Sequence, residues 1–216
     1  MRKLCHIQYF RKFFSAQDIW LQLKGVGRIE EGLRNVAIAI DTRGRILRTV
    51  VADGRRRIEN LLQSVPEGRI RAGSAKIDDE IVYGVLQSVD AFFFEAFSLY
   101  ELLKRFYVSV LRRAKIEGGK QAHESFATLV GETQSSRNFN WQQYLEAHRN
   151  VFIHETVPYV AVEVAGEDPS QRVLVVESEP DVYLRPNDFD KVLKGLERLA
   201  TLCKDDLSSK IARRGN

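Results

Sequence analysis

The chain has 216 residues, 44% of them hydrophobic and 29% charged, with five Pro and fourteen Gly. That is the composition of one globular domain, with or without an N-terminal extension, and it excludes collagen-like and low-complexity chains. The net charge of +4 is uneven: residues 1–75 carry 15 Lys/Arg against 7 Asp/Glu and residues 76–216 carry 18 against 22, so the N-terminal third is +8 and the rest −4.

Phe10, Phe13, Phe14, Ile19, Trp20, Leu21 and Leu23 make residues 1–25 read as one or two short helices. Next, Ile29, Leu33, Val36, Ile40, Leu47, Val51, Ile58, Leu62 and Val65 recur at 3.6 residues per turn, which predicts a long amphipathic helix. Gly44 and Gly54 lie on the same stripe, where a close helical neighbour tolerates them. A hairpin competes over residues 36–51, because Val36–Ile40 and Ile46–Val51 flank the turn-forming Asp41-Thr-Arg-Gly44. The helical stripe lasts longer than the alternation, and helix is the preferred reading.

Residues 66–76 form a connection. A second long helix is expected from about Asp78 to Ala114, striped by Ile81, Val85, Val89, Phe92, Ala96, Leu99, Leu103, Phe106 and Val110 and ended by Gly118-Gly119. A short amphipathic piece, 122–131, precedes a third major helix from near Phe139 to near Glu155, stopped by Pro158. The period then falls to two. Tyr159–Val164 and Arg172–Glu177 flank Gly166–Ser170 as a hairpin, with Val182–Leu184 as a candidate third strand. Asn187 is the expected N-cap of a last helix striped by Phe189, Val192, Leu196, Leu199, Cys203 and Leu207, followed by a frayed basic tail from Lys210. The predicted fold class is therefore mainly α, an antiparallel helical bundle with a small β-hairpin before the last helix.

No apolar run reaches the ~18–20 residues of a membrane span, and the basic N-terminus is not followed by a signal-type apolar stretch. Two widely separated cysteines, Cys5 and Cys203, are read as free thiols. A cytoplasmic protein with no membrane partner is the expectation. Neither a metal nor another cofactor is expected, since Gly25-Val-Gly27 lacks the phosphate-loop context. Pro158 and Ala127 stand where a second zinc-binding His would follow His154-Glu155 and His123-Glu124.

The informative segment is Trp141-Gln-Gln-Tyr-Leu-Glu-Ala-His-Arg-Asn-Val-Phe-Ile-His-Glu155. On a helical wheel Trp141, Tyr144, Leu145, His148, Val151 and Phe152 form the core face, with His148 read as a packed core histidine. Asn150 and His154, four residues apart, share the opposite side, and Arg149 can swing toward them. Ile153 sits among them, as though that surface were covered. A plain structural reading stays open, in which Arg149 pairs with a carboxylate and His154 caps its helix.

Arg149-Asn150-Val-Phe-Ile-His154 resembles the R-x4-6-H signature of the HEPN superfamily, including the polar residue after the Arg. The order of long helix, motif helix and closing helix over roughly 77–212 is similar too. The resemblance implies a HEPN-like helical domain, 77–212, with its hairpin at about 158–185; residues 1–76, which it does not cover, are read as a basic helical extension packed on the bundle. It also implies a homodimer with a composite site and metal-independent cleavage of RNA by a toxin or defence effector with an antitoxin or other partner protein. Arg149 and His154 would be catalytic, with Asn150 in support and Glu95 as a further partner for Arg149. Arg55, Arg56 and Arg57 are the candidate RNA-binding run. The alternative is a non-catalytic HEPN-like dimeric binding or interaction module.

Overall fold

The long apolar period after residue 29 resolves into one helix. In the computed structural model, α1 spans Glu31–Ser64 and buries Leu33, Ala37, Ile40, Leu47, Val51, Ile58 and Leu61, with Val36 and Leu62 half-buried beside them. The structure describes residues 31–65, 78–134, 139–154, 159–164, 172–179 and 182–215, and only the backbone of residues 149–154. The segments expected at 1–25 and 66–76, Cys5 and the hairpin turn Gly166–Ser170 lie outside the described residues. Residues 36–51 are helical throughout, so the hairpin alternative falls. The helix prevails because its 3.6-residue apolar period runs on through Leu33, Ile40, Leu47, Val51 and Ile58, all buried together, whereas a hairpin over 36–51 would interrupt it.

That second helix, α2, runs Asp79–Arg113. Asp78 caps it, its carboxylate accepting the Glu80 N–H at 2.9 Å, and Asp79 and Glu80 add acidic charge where the dipole favours it. By length and composition alone α2 is apolar enough to cross a membrane. In this fold it is the helix on which all the other described helices pack. Its buried arc is therefore wider than one stripe, taking in Phe93, Tyr100, Tyr107 and Leu111 besides the expected positions. Gly54 of α1 faces it closely: a Cβ there would meet Ser88 Cβ at 3.5 Å.

The end of α2 differs from the expectation at Gly118-Gly119. The helix stops at Arg113, and Lys115 turns into the left-handed region with φ of 50°. The Ile116 N–H reaches back to the Leu111 carbonyl at 2.9 Å and the Lys115 N–H to Arg112 at 3.0 Å, a Schellman termination made without glycine. Gly118 instead caps the start of α3, Gly119–Glu132.

The motif helix, α4, spans Trp141–His154. Asn140 caps it, its side-chain oxygen accepting the Gln143 N–H at 3.0 Å. An antiparallel sheet in the order β1-β2-β3 follows, with β1 at Tyr159–Val164, β2 at Arg172–Glu179 and β3 at Val182–Leu184. Tyr159 pairs with Glu177 and Val164 with Arg172, and β2 also touches α1, α4 and the last helix.

That last helix, α5, spans Pro186–Gly215, which corrects both expected ends. Pro186 takes the first helical position, where its missing N–H costs nothing. Asn187 is inside the helix; Asp188 closes the cap instead, accepting the Arg185 N–H at 3.3 Å. The basic tail continues as helix because Lys210 is held from three sides. Its ammonium donates to Glu117 Oε1 and Asp206 Oδ2, both at 2.8 Å, and to the Tyr107 hydroxyl at 3.2 Å. The mainly α bundle with a small sheet ahead of the closing helix is thus the observed fold.

Candidate functional site

The first half of α4 fixes the orientation of the motif segment. Trp141 and Leu145 are fully buried and His148 is 3% exposed, while Gln143, Glu146 and Ala147 face solvent. The anchor is Trp141. Its indole N–H donates to Thr133 Oγ1 at 2.9 Å, and that hydroxyl donates to the Val130 carbonyl at 2.6 Å. Its ring edge packs on Tyr100 with 6.0 Å between centroids and lies against Gly195 of α5, where a Cβ would fall 2.6 Å from Trp141 Cδ1. Only glycine permits that approach.

His148 is the core histidine that its place on the wheel predicts. It lies between Tyr144, 4.3 Å between ring centroids, and Phe93, 5.6 Å. Among the described residues neither its Nδ1 nor the Tyr144 hydroxyl has a hydrogen-bond partner. Burial lowers the imidazole pKa from 6.5 to about 4, against the opposing pull of Asp188. The unfolded chain therefore takes up a proton between about pH 6.5 and pH 4 that the folded chain refuses, and stability falls as pH falls through that window. The expected loss attributable to this group is about 3 kcal/mol by pH 4. Denaturant midpoints of the protein and of His148→Leu across pH 4–7 check it: the leucine variant should lose that part of the slope. Equal slopes would show that His148 is protonated inside the fold.

Arg149, Asn150 and His154 belong to the last two turns of α4, and their side chains lie outside the described residues. Glu95, expected beside Arg149, is 8% exposed and takes its hydrogen bond from α1: Arg43 Nη1 donates to Glu95 Oε1 at 2.5 Å. The other carboxylate oxygen, Oε2, is buried and has no hydrogen-bond partner among the described residues. Sequence reading missed Arg43 altogether, because nothing local links residues 52 positions apart. The same guanidinium lies over the ring of Phe94, 5.4 Å from its centroid, and Phe94 is 55% exposed.

The Arg55-Arg-Arg57 run is engaged with carboxylates of this chain. Arg55 bridges to Asp190 of α5 at 2.5 Å, and Arg56 and Arg57 both pair with Asp53, whose pKa their hydrogen bonds lower. Arg57 also donates to the Gly84 carbonyl at 3.2 Å. The run thus helps to hold α1 on α2 and α5, although the Arg55 and Arg56 side chains stay 57% and 73% exposed. Among the described residues no three His, Cys, Asp or Glu side chains gather as metal ligands. Comparison with protein-family models, curated proteins and solved structures finds no match to this chain.

Proposed function

We propose that the chain is a metal-independent endoribonuclease of HEPN type, acting as a two-fold dimer. The observation that carries this reading is the frame of α4. Its helix is unbroken to His154, its core side is taken by Trp141, Leu145 and His148, and its solvent side by Gln143, Glu146 and Ala147. Continued at 100° per residue, that period assigns helix positions 150 and 154 to the solvent side and 149 to its border. An arginine, an amide and an imidazole would then share a surface that this chain's own core does not need.

The chemistry suits those groups. Cleavage through the RNA 2′-hydroxyl requires proton transfer to and from oxygen, which His154 supplies near neutral pH. The charge that grows on the phosphate is met by the Arg149 fork, with Asn150 orienting the pair. His154 occupies the last position of α4, where the helix dipole favours the imidazolium by ~0.3–2 kcal/mol. Glu95, held by Arg43, serves in this reading to fix α1 against α2 rather than to act on RNA. Arg55 and Arg56 meet phosphates by exchanging their carboxylate partners, which makes that contribution salt-dependent. The exposed Phe94 is an apolar element for the dimer contact.

The test is incubation of the purified chain with single-stranded RNA in excess EDTA. The expected result is cleavage undiminished by the chelator, with products ending in 2′,3′-cyclic phosphate or 3′-phosphate and 5′-hydroxyl. Activity that appears only with Mg²⁺, or sedimentation as a monomer at tens of micromolar, would overturn the reading.

A further inference from the structure

Away from the motif's end of α4, its N-terminus borders a half-open cleft of about 410 Å³ lined by α2, α3 and the start of α4. That is the size of a small-molecule site. Among the described residues its polar lining offers several donors beside one free acceptor, the Gln142 side-chain oxygen, whose amide hydrogens go to Tyr100 and Glu146. Lys104, one turn beyond Tyr100 on α2, is half-buried, and among the described residues no carboxylate pairs with it; His123 enters from α3. Two amides have their oxygens already committed, Gln134 Oε1 to the Trp141 N–H at 3.2 Å and Asn140 Oδ1 to the Gln143 N–H at 3.0 Å. What each has left to offer is its NH₂ group. The Tyr100 hydroxyl accepts from Gln142 Nε2 at 3.1 Å, which leaves its own hydrogen to donate. Burial, with Glu146 and Glu101 nearby, pushes its pKa up to about 12, so the hydrogen stays in place. The start of α4 adds the positive end of a helix dipole on the same side. The apolar part of the wall is formed by Phe126, Ala127 and Val130, on the same helix as His123.

The geometry points to this cavity as a binding site for a small organic anion, a phosphate or carboxylate head on a ring-sized apolar body, with the head at Lys104 and His123 and the body against Phe126. The head meets the Lys104 ammonium, the His123 imidazole and up to three neutral donors. A neutral ligand would leave the half-buried Lys104 ammonium facing an uncharged group. The assignment stands apart from the ribonuclease reading, since its residues and its readout involve neither RNA nor the end of α4.

Gly131 supplies a clean control. It lies on the cavity wall in α3, and a Cβ there meets nothing within 4 Å. A leucine can therefore fill the cavity without disturbing the core, and it removes a helix-interior glycine. The experiment follows the ring resonances of His123 by NMR while phenyl phosphate, benzoate, phenol or inorganic phosphate is added. The expected result is a saturable shift with phenyl phosphate or benzoate, the tighter of the two identifying the head group, and binding at least tenfold weaker for phenol and for phosphate alone. Lys104→Met should weaken the preferred anion at least tenfold, and Gly131→Leu should abolish binding while the thermal midpoint is kept. No saturable shift, phenol binding as tightly as the anions, free phosphate binding as tightly as phenyl phosphate, or indifference to Lys104→Met would each overturn the proposal.

Discussion

His154→Ala is expected to lower RNA cleavage by about 10²–10⁴-fold, the range for loss of a general acid–base group. The substitution removes the proton-transfer group and little charge, so RNA affinity should change by less than about twofold, because affinity comes from cations spread over the surface. Arg149→Lys keeps the charge and loses the planar fork; it should also impair cleavage while leaving the salt dependence of binding unchanged. Both variants should unfold at the same denaturant concentration as the parent, since the period of α4 assigns position 154 to the solvent side and 149 to its border, where lysine keeps the aliphatic stem. Single-turnover cleavage, filter binding at two salt concentrations and a urea titration on the same preparations separate the three quantities. A loss of stability of several kcal/mol in His154→Ala would make the residue a packing contact, and the ribonuclease reading would lose its support.

Trp141→Ala should show the opposite pattern, a cost of about 3–5 kcal/mol in stability. The indole is fully buried and touches Tyr100 and Gly195. Its removal opens a void at the junction of α2, α3 and α5. The polar consequence is small, because Thr133 Oγ1 keeps its bond to the Val130 carbonyl at 2.6 Å. For a chain of this size the thermal midpoint should fall by roughly 6–20 °C. The partner residue gives a sharper check. Gly195→Ala alone places a methyl group 2.6 Å from Trp141 Cδ1, closer than atoms pack, and should cost about 1–3 kcal/mol. In the Trp141→Ala background the same methyl enters the void, and the gain in helix propensity of about 1 kcal/mol is no longer opposed. The sign of the Gly195→Ala effect should therefore reverse. Additive losses would mean that the two helices separate rather than repack.

The contact that makes Gly195 irreplaceable was not legible in the sequence. Glycine inside an otherwise good helix pattern reads as a weakness; its meaning comes from an indole supplied 54 positions earlier. What the sequence determined by itself are the properties set by local period. The apolar stripe decided that residues 36–51 are helix, because the 3.6-residue period continues unbroken on both sides of them, from Leu33 to Ile58. The shift to alternation at Tyr159 located the sheet, and the wheel of α4 identified His148 as a core residue. Helix ends were less legible, since they depend on single hydrogen bonds. Lys115 ends α2 in a conformation that glycine was expected to provide, and Asp188 closes the start of α5 in place of Asn187. Tertiary structure alone decided which charges meet. Glu95 takes a hydrogen bond from Arg43 of α1, and the Arg55–Arg57 run pairs with Asp53 and Asp190. Lys210 keeps the tail helical only because Tyr107 and Glu117 stand beside it. Periodicity is a property of neighbours along the chain, whereas an ion pair or a cavity such as that beside Lys104 exists only once distant helices are packed at fixed angles.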